Sequence, residues 1–123
     1  MADSREEQIV EILRELRADC PGVQAAVLIS SDAMPLASDM AEAVDEEVIS
    51  ATASALISAS ERVARELARG EVEQLFLRGG SGDLVLARVN ENASLACVVN
   101  HQAKMGMTLL EVNRCARKLS VVI

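Results

Sequence analysis

Between Ala41 and Arg69 the chain runs 29 residues (69 − 41 + 1) without a glycine or a proline, and the centre of that run, Ala51-Thr52-Ala53-Ser54-Ala55, is made of small side chains. Such a stretch favours an α-helix, because alanine is the strongest helix former and the two strongest breakers are absent. At 1.5 Å per residue, a helix from Asp45 to Arg69 reaches roughly 37 Å, whereas a compact chain of this length has a radius of gyration of about 14 Å. One helix therefore spans a whole face of the molecule, and the rest of the chain must be arranged against it.

Projected at 100° per residue, Val48, Thr52, Leu56, Ala59, Val63 and Leu67 share one side, with Ile49, Ala53 and Ile57 at its flank. That side is expected to look inward. The opposite side carries Ala51, Ser54, Ala55 and Ser58 at spacings of three and four, followed by Glu61, Arg62, Arg65 and Arg69. An outward face this small lets another backbone approach closely, although the helix propensity of alanine alone explains the same residues.

Ser4-Arg5-Glu6-Glu7 matches a capping box, after which Ile9, Ile12, Leu13 and Leu16 mark the apolar face of a first helix that Pro21-Gly22 stops. Val23 to Ser30 is a continuous apolar run that suits a strand covered on both faces. Ser31-Asp32-Ala33-Met34 turns into a short strand, Pro35 to Ser38, which belongs at a sheet edge because proline lacks the amide donor. Beyond the long helix, which Gly70 is expected to close, Glu71 to Arg78, Leu84 to Val89 and Ala93 to Val99 read as a three-strand meander. Its turns are Gly79-Gly80-Ser81-Gly82-Asp83 and Asn90-Glu91-Asn92. A last helix from about Gly106 to Leu119 buries either Met107, Leu110 and Cys115 or the adjacent Leu109, Val112 and Ala116.

The 123 residues amount to one domain, 1–123. The fold expected is α+β, an α/β sandwich with a five-stranded mixed or antiparallel sheet of order 2-1-5-4-3. The long helix covers one face and the terminal helices the other. This order leaves the strand holding Gln74, Leu75, Phe76 and Leu77 on an open edge, an aggregation liability unless it is paired. A two-fold homodimer pairs that edge with its copy and brings the long helices together. The seam expected is Ala51, Ser54, Ala55, Ser58, Gln74, Leu75 and Phe76.

The net charge of −7 and a single aromatic residue, Phe76, argue against nucleic acid or an anionic membrane as the main partner. No stretch approaches the ~18 apolar residues of a membrane span and no signal core opens the chain, so a cytoplasmic protein is expected. Cys20, Cys97 and Cys115 are odd in number and lack close spacing, as buried reduced thiols do.

The order of elements, Pro21-Gly22-Val23 opening the first strand, the returning Met34-Pro35-Leu36-Ala37, the Ala/Ser-rich helix, Leu95-Ala96-Cys97-Val98-Val99 and Gly106-Met107 at the last helix together resemble the Roadblock dynein light chain family, in its MglB-like branch. The resemblance covers roughly Arg5 to Leu119. It implies a homodimer or heterodimer with a shared sheet and paired central helices that binds and regulates a small Ras-like GTPase, as an activator or a scaffold. The GTPase contact so implied is Ser54, Ser58, Glu61, Arg62 and Arg65. The chain departs from the family at Asp32-Ala33, where many members have Asp-Gly.

No chemistry of the chain's own is expected, and no cofactor. Gly79-Gly80-Ser81-Gly82 lacks the Lys-Ser/Thr pair and helix of a phosphate-binding loop. His101 is the only histidine, which excludes a histidine metal cluster and leaves a remote pairing with Cys97. Asp45-Glu46-Glu47 fits the positive end of a helix better than a cation site. Arg62, Arg65 and Arg69 form a basic ridge near the helix end, explained either by the helix dipole with Glu61–Arg65 and Glu66–Arg69 pairs or by contact with a partner. The alternative to a GTPase regulator is a small-molecule or signal-sensing domain, which requires a sizeable cavity.

Overall fold

The computed structural model describes residues 2–41 and 44–123. Glu42 and Ala43, part of the glycine-free run, lie outside the described residues. The elements are α1 (Ala2–Asp19), β1 (Val23–Ser30), β2 (Pro35–Met40), α2 (Glu46–Glu66), β3 (Gln74–Gly79), β4 (Gly82–Asn90), β5 (Ala93–Val99) and α3 (Met105–Val122). All four strand pairings are antiparallel, and they build one sheet of order β2-β1-β5-β4-β3. The order and layering follow the sequence reading, with Pro35 on an edge strand and the meander closing on the opposite edge.

Alternation along the strands divides the interior into two cores. Ala26, Leu28, Val85, Leu95, Cys97 and Val99 point to the side covered by α1 and α3, where Leu13, Val112, Cys115, Ala116 and Leu119 meet them. Ala25, Val27, Leu86 and Ala96 point the other way, to Ile49 and Ala53 of α2. The alanines at 25, 53 and 96 have almost no exposed surface and let the helix axis sit close to the sheet. On α3 the second of the two expected faces is the buried one, with Cys115 added to it. Met107 and Leu110 are 59% and 53% exposed.

α2 starts at Asp45, whose carboxylate accepts from the amides of Glu47 at 3.0 Å and Val48 at 3.2 Å, with Glu46 and Glu47 in the positive first turn. It closes earlier than expected. Ala68, not Gly70, takes the left-handed position (φ 53°), where its amide meets Arg65 O at 3.1 Å and the Arg69 amide meets Ala64 O at 2.7 Å. This double bond pattern is a Schellman closure, which ties up carbonyls of the last turn. α1 likewise begins at Ala2, so Ser4 stands within the first turn and not at the N-cap position of a capping box.

The facing of α2 corrects the projection. Ile49, Ser50 and Ala53 are buried, while Val48 and Val63 are each 55% exposed, Leu67 is 60% exposed, and Thr52 and Ala59 are also exposed. The expected flank is the true contact line. A projection weights every apolar side chain alike, and this helix carries apolar residues beyond those its own sheet covers, so the apparent inward direction is swung toward the uncovered side.

Candidate functional site

On the α2 side the register arranges the sheet's side chains in three rows. The first is Leu77, Leu84, Val98, Ala25 and Met40, read across β3, β4, β5, β1 and β2. The second is Leu75, Leu86, Ala96, Val27 and Ser38. The third holds Arg88, Ser94 and Ile29. α2 rests on the second row, where Leu86, Ala96 and Val27 are buried. Its two flanks then overlook rows of opposite character.

On the apolar flank, Leu77 of the first row is 45% exposed and Leu84, Val98 and Met40 are half-buried. The exposed line Val48, Thr52, Ala59 and Val63 of α2 stands beside them. The result is a trough with an apolar floor and an apolar wall, ending at the free edge of β3. Ala51 and Ala55 are exposed on the crest of the helix. Phe76 faces the other side of the sheet, 42% exposed, with the Arg78 guanidinium 5.6 Å from its ring centroid. Gln74 faces that side too and donates to Asn113 Oδ1 at 3.1 Å.

On the polar flank, Ser54, Ser58 and Glu61 converge with Arg88, Asn90, Asn92 and Ser94 around a crevice of about 110 Å³. Arg88 organises it. Its guanidinium donates to Glu61 Oε2 at 2.8 Å and to Val72 O at 3.2 Å, and its amide meets Glu73 O at 3.0 Å, which joins β4 to α2 and to the loop before β3. A neighbouring cleft of about 380 Å³ lies beyond this pair, lined by Arg65, Glu71 and Val72.

Glu61 thus pairs with Arg88 and not with Arg65, and Glu66 pairs with Arg62 at 3.3 Å and not with Arg69. The half-buried Arg88 is a permanently charged partner held in place by the sheet, whereas Arg65 is a long exposed side chain that must be immobilised first. Of the five residues in the implied GTPase contact, Ser54, Ser58 and Glu61 share one crevice, Arg65 borders the next, and Arg62 stands outside both. Arg88 escaped the sequence reading, because it sits in a strand whose pattern is otherwise apolar. A charge inside an apolar β-run was the signal for it.

Gly79-Gly80-Ser81-Gly82 is a hairpin turn, with Gly79 paired to Gly82. A Cβ on Gly79 would come within 2.6 Å of Gly82 O, so the close approach requires glycine. His101 Nε2 lies 2.9 Å from Gly79 O and 3.7 Å from Asp83 Oδ1, while Arg78 Nε is 3.9 Å from the same oxygen. The histidine is engaged at the hairpin, and Cys97 is sealed in the core. All three cysteines are free and buried. Burial pushes the Cys97 thiol well up, that of Cys20 up, and that of Cys115 up to about 12. Thiols so placed stay protonated and unreactive. Among the described residues no three His, Cys, Asp or Glu side chains converge to hold a metal ion, and no helix is long and apolar enough to cross a membrane.

A five-stranded antiparallel sheet in this order, one long helix on one face and two terminal helices on the other, defines the class of Roadblock folds, and the chain belongs to the Roadblock/LC7 domain family, whose model matches residues 9–100. It is similar to an uncharacterized protein of Methanocaldococcus jannaschii, 28% identical over 118 residues, 95% of this chain and 98% of that one. Among solved structures, the gliding protein MglB of Thermus thermophilus superposes with a TM-score of 0.90 at 21% identity, over 97% of this chain and 90% of that one. MglB of Myxococcus xanthus superposes with a TM-score of 0.86 at 15% identity, over 94% of each chain.

Proposed function

We propose that the protein is a dimeric interaction module that binds and regulates a small Ras-like GTPase. One observation carries the reading: the trough beside α2, apolar on floor and wall, runs into an unpaired strand edge, a shape that a second copy related by a two-fold axis would fill in both places at once. In that pairing the partner's α2 lies in the trough against Val48, Thr52, Ala55, Ala59 and Val63, with Ala51 at its margin. The two β3 strands pair through Gln74, Leu75, Phe76 and Leu77. An edge with exposed Phe76 and Leu77 and no proline is the kind that soluble proteins cover.

Ser54 and Ser58, placed by the sequence reading in both the seam and the GTPase contact, belong to the second of these. They lie with Glu61 on the flank that the partner's helix leaves open. Arg62 and Arg65 extend this surface past the end of the crevice. The GTPase partner itself rests on the family: its members are generally regulators and not enzymes, and one structure similar to this chain (TM-score 0.91, 22% identity) is described as MglB with a tetrameric arrangement, so self-association occurs within the fold. The role of the module is binding and ordering of the GTPase's own catalytic loops, with an arginine supplied to the transferring phosphoryl group ranked below it.

The test has two stages. Light scattering at micromolar concentration is expected to return twice the 13.1 kDa chain mass; a monomer overturns the seam. Small GTPases of the same genome, loaded with GDP or a non-hydrolysable GTP analogue, are then passed over the immobilised dimer and their hydrolysis rates measured. Binding in neither nucleotide state overturns the partner. For the sensing alternative the fold offers, among the described residues, an open groove of about 420 Å³ between the α1–β1 turn and the start of α3, lined by Cys20, Pro21, Ala103 and Met107.

A further inference from the structure

The crevice on the polar flank of α2 is too small for a metabolite, since ligand pockets typically enclose about 300–1,000 Å³. At about 110 Å³ it has room on the scale of one side-chain head group. Its chemistry is uneven. Arg88, the single cation on its wall, spends its guanidinium on Glu61 Oε2 and Val72 O. Glu61 keeps its second carboxylate oxygen uncommitted, and Glu91, exposed in the β4–β5 turn at the rim, forms no ion pair among the described residues. The hydroxyls of Ser54, Ser58 and Ser94 likewise make no hydrogen bond among the described residues. Two carboxylates against one committed guanidinium leave a surplus negative charge, ringed by oxygens free to accept.

We infer that this crevice receives a single basic side chain, a lysine or arginine at the tip of a loop of the partner protein, held by Glu61 and Glu91 and by the hydroxyls of Ser54, Ser58 and Ser94. The inference rests on the proposed docking at this flank and specifies its chemistry. An ammonium or guanidinium donates in several directions and accepts in none, which matches a wall of acceptors. The chain's net charge of −7 draws a basic loop toward it from a distance. Glu61 is fixed from behind by Arg88, so less rotamer freedom is lost when a cation binds it.

The experiment needs no GTPase, so its failure is separate from failure of the docking reading. The ¹⁵N-labelled full chain is titrated with N-acetyl-arginine amide, and in parallel with the neutral N-acetyl-glutamine amide. The basic probe is expected to shift the amides of Ser54, Ser58, Asn92 and Ser94 saturably, and the neutral probe to leave them in place. Glu91→Gln is expected to weaken the response about two- to fivefold, as for one exposed ion pair. Ser58→Leu, on an exposed helix position, fills the crevice and is expected to abolish the response with the rest of the spectrum unchanged. Equal shifts with both probes, a basic-probe response confined to the acidic face of α1 at Glu6, Glu7 and Glu11, or a response untouched by Ser58→Leu would overturn the inference. Loss of GTPase binding in Ser58→Leu but not in Glu91→Gln would leave the docking surface standing and remove the basic anchor.

Discussion

Two alanines hold positions that glycine occupies at least cost, and replacing them should stabilise the protein. Ala33 (φ 65°) ends the three-residue β1–β2 loop, in which the Ala33 amide meets Ser30 O at 3.0 Å and the Ser30 amide meets Met34 O at 2.9 Å. This is a type I turn followed by a left-handed residue, a hairpin geometry that favours glycine at its last position. Ala68 (φ 53°) is the left-handed residue of the Schellman closure of α2. A non-glycine residue in that region costs about 1–2 kcal/mol, while glycine loses about 0.4–1 kcal/mol more in ordering the unfolded chain. The difference leaves a gain of about 0.5–1 kcal/mol for Ala33→Gly and for Ala68→Gly. At about 4 °C per kcal/mol for a domain of this size, each raises Tm by about 2–4 °C. Gly70→Ala is the mirror control. With φ +84° and no atom within 4 Å of an added Cβ, it changes backbone strain without changing packing, and it should lower Tm by a similar amount. Thermal melts followed by circular dichroism at one fixed protein concentration read all three. A lower Tm in both Ala→Gly variants would refute the reasoning, because it would mean that the entropy of the unfolded chain outweighs the strain.

Ala55→Glu and Val63→Glu, which place a charge at the crest and in the wall of the trough, are expected to yield monomers by sedimentation while keeping the helical signal; a persistent dimer would place the contact elsewhere. Leu119→Ala, at a fully buried position of the α1/α3 core, should cost about 3–5 kcal/mol in a denaturant titration. The three thiols should resist a disulfide reagent in the native state and react only on unfolding. Because Cys115 is raised from 9.0 to about 12, the folded state holds a proton that the unfolded chain releases. Its contribution is therefore complete below about pH 9 and lost as pH climbs toward 12, by up to about 4 kcal/mol at 1.36 kcal/mol per unit. Chemical denaturation across pH 8 to 11 checks the sign. Arg62→Ala with Arg65→Ala should weaken GTPase association without changing Tm; unchanged affinity would return both to solvent.

The strands and their order were legible because each reports a local fact. Val23 to Ser30 is apolar throughout, Pro35 refuses a central position, and the glycine and asparagine turns fix the meander. The rotation of α2 was not legible. Its apolar residues lie on two faces, one against the sheet and one exposed, and a helical projection returns their average, halfway between Ala53 and the Val48–Val63 line. Ion pairing was hidden for a related reason. Spacing along a helix proposes Arg65 for Glu61, whereas the actual partner, Arg88, is 27 residues away on another element and prevails because it is already held by the sheet. The early closure of α2 was masked because Gly70 advertises left-handed geometry more loudly than Ala68, although both adopt it.

The three rows under α2 also bear on which chains will keep company. Dispersion and burial recognise contour rather than identity, so, if the proposed pairing holds, the empty lane beside the helix would admit any sibling whose own helix is as slender at the matching heights. In a cell holding two such siblings at similar stability, the mix of like and unlike couples would then follow their relative abundance.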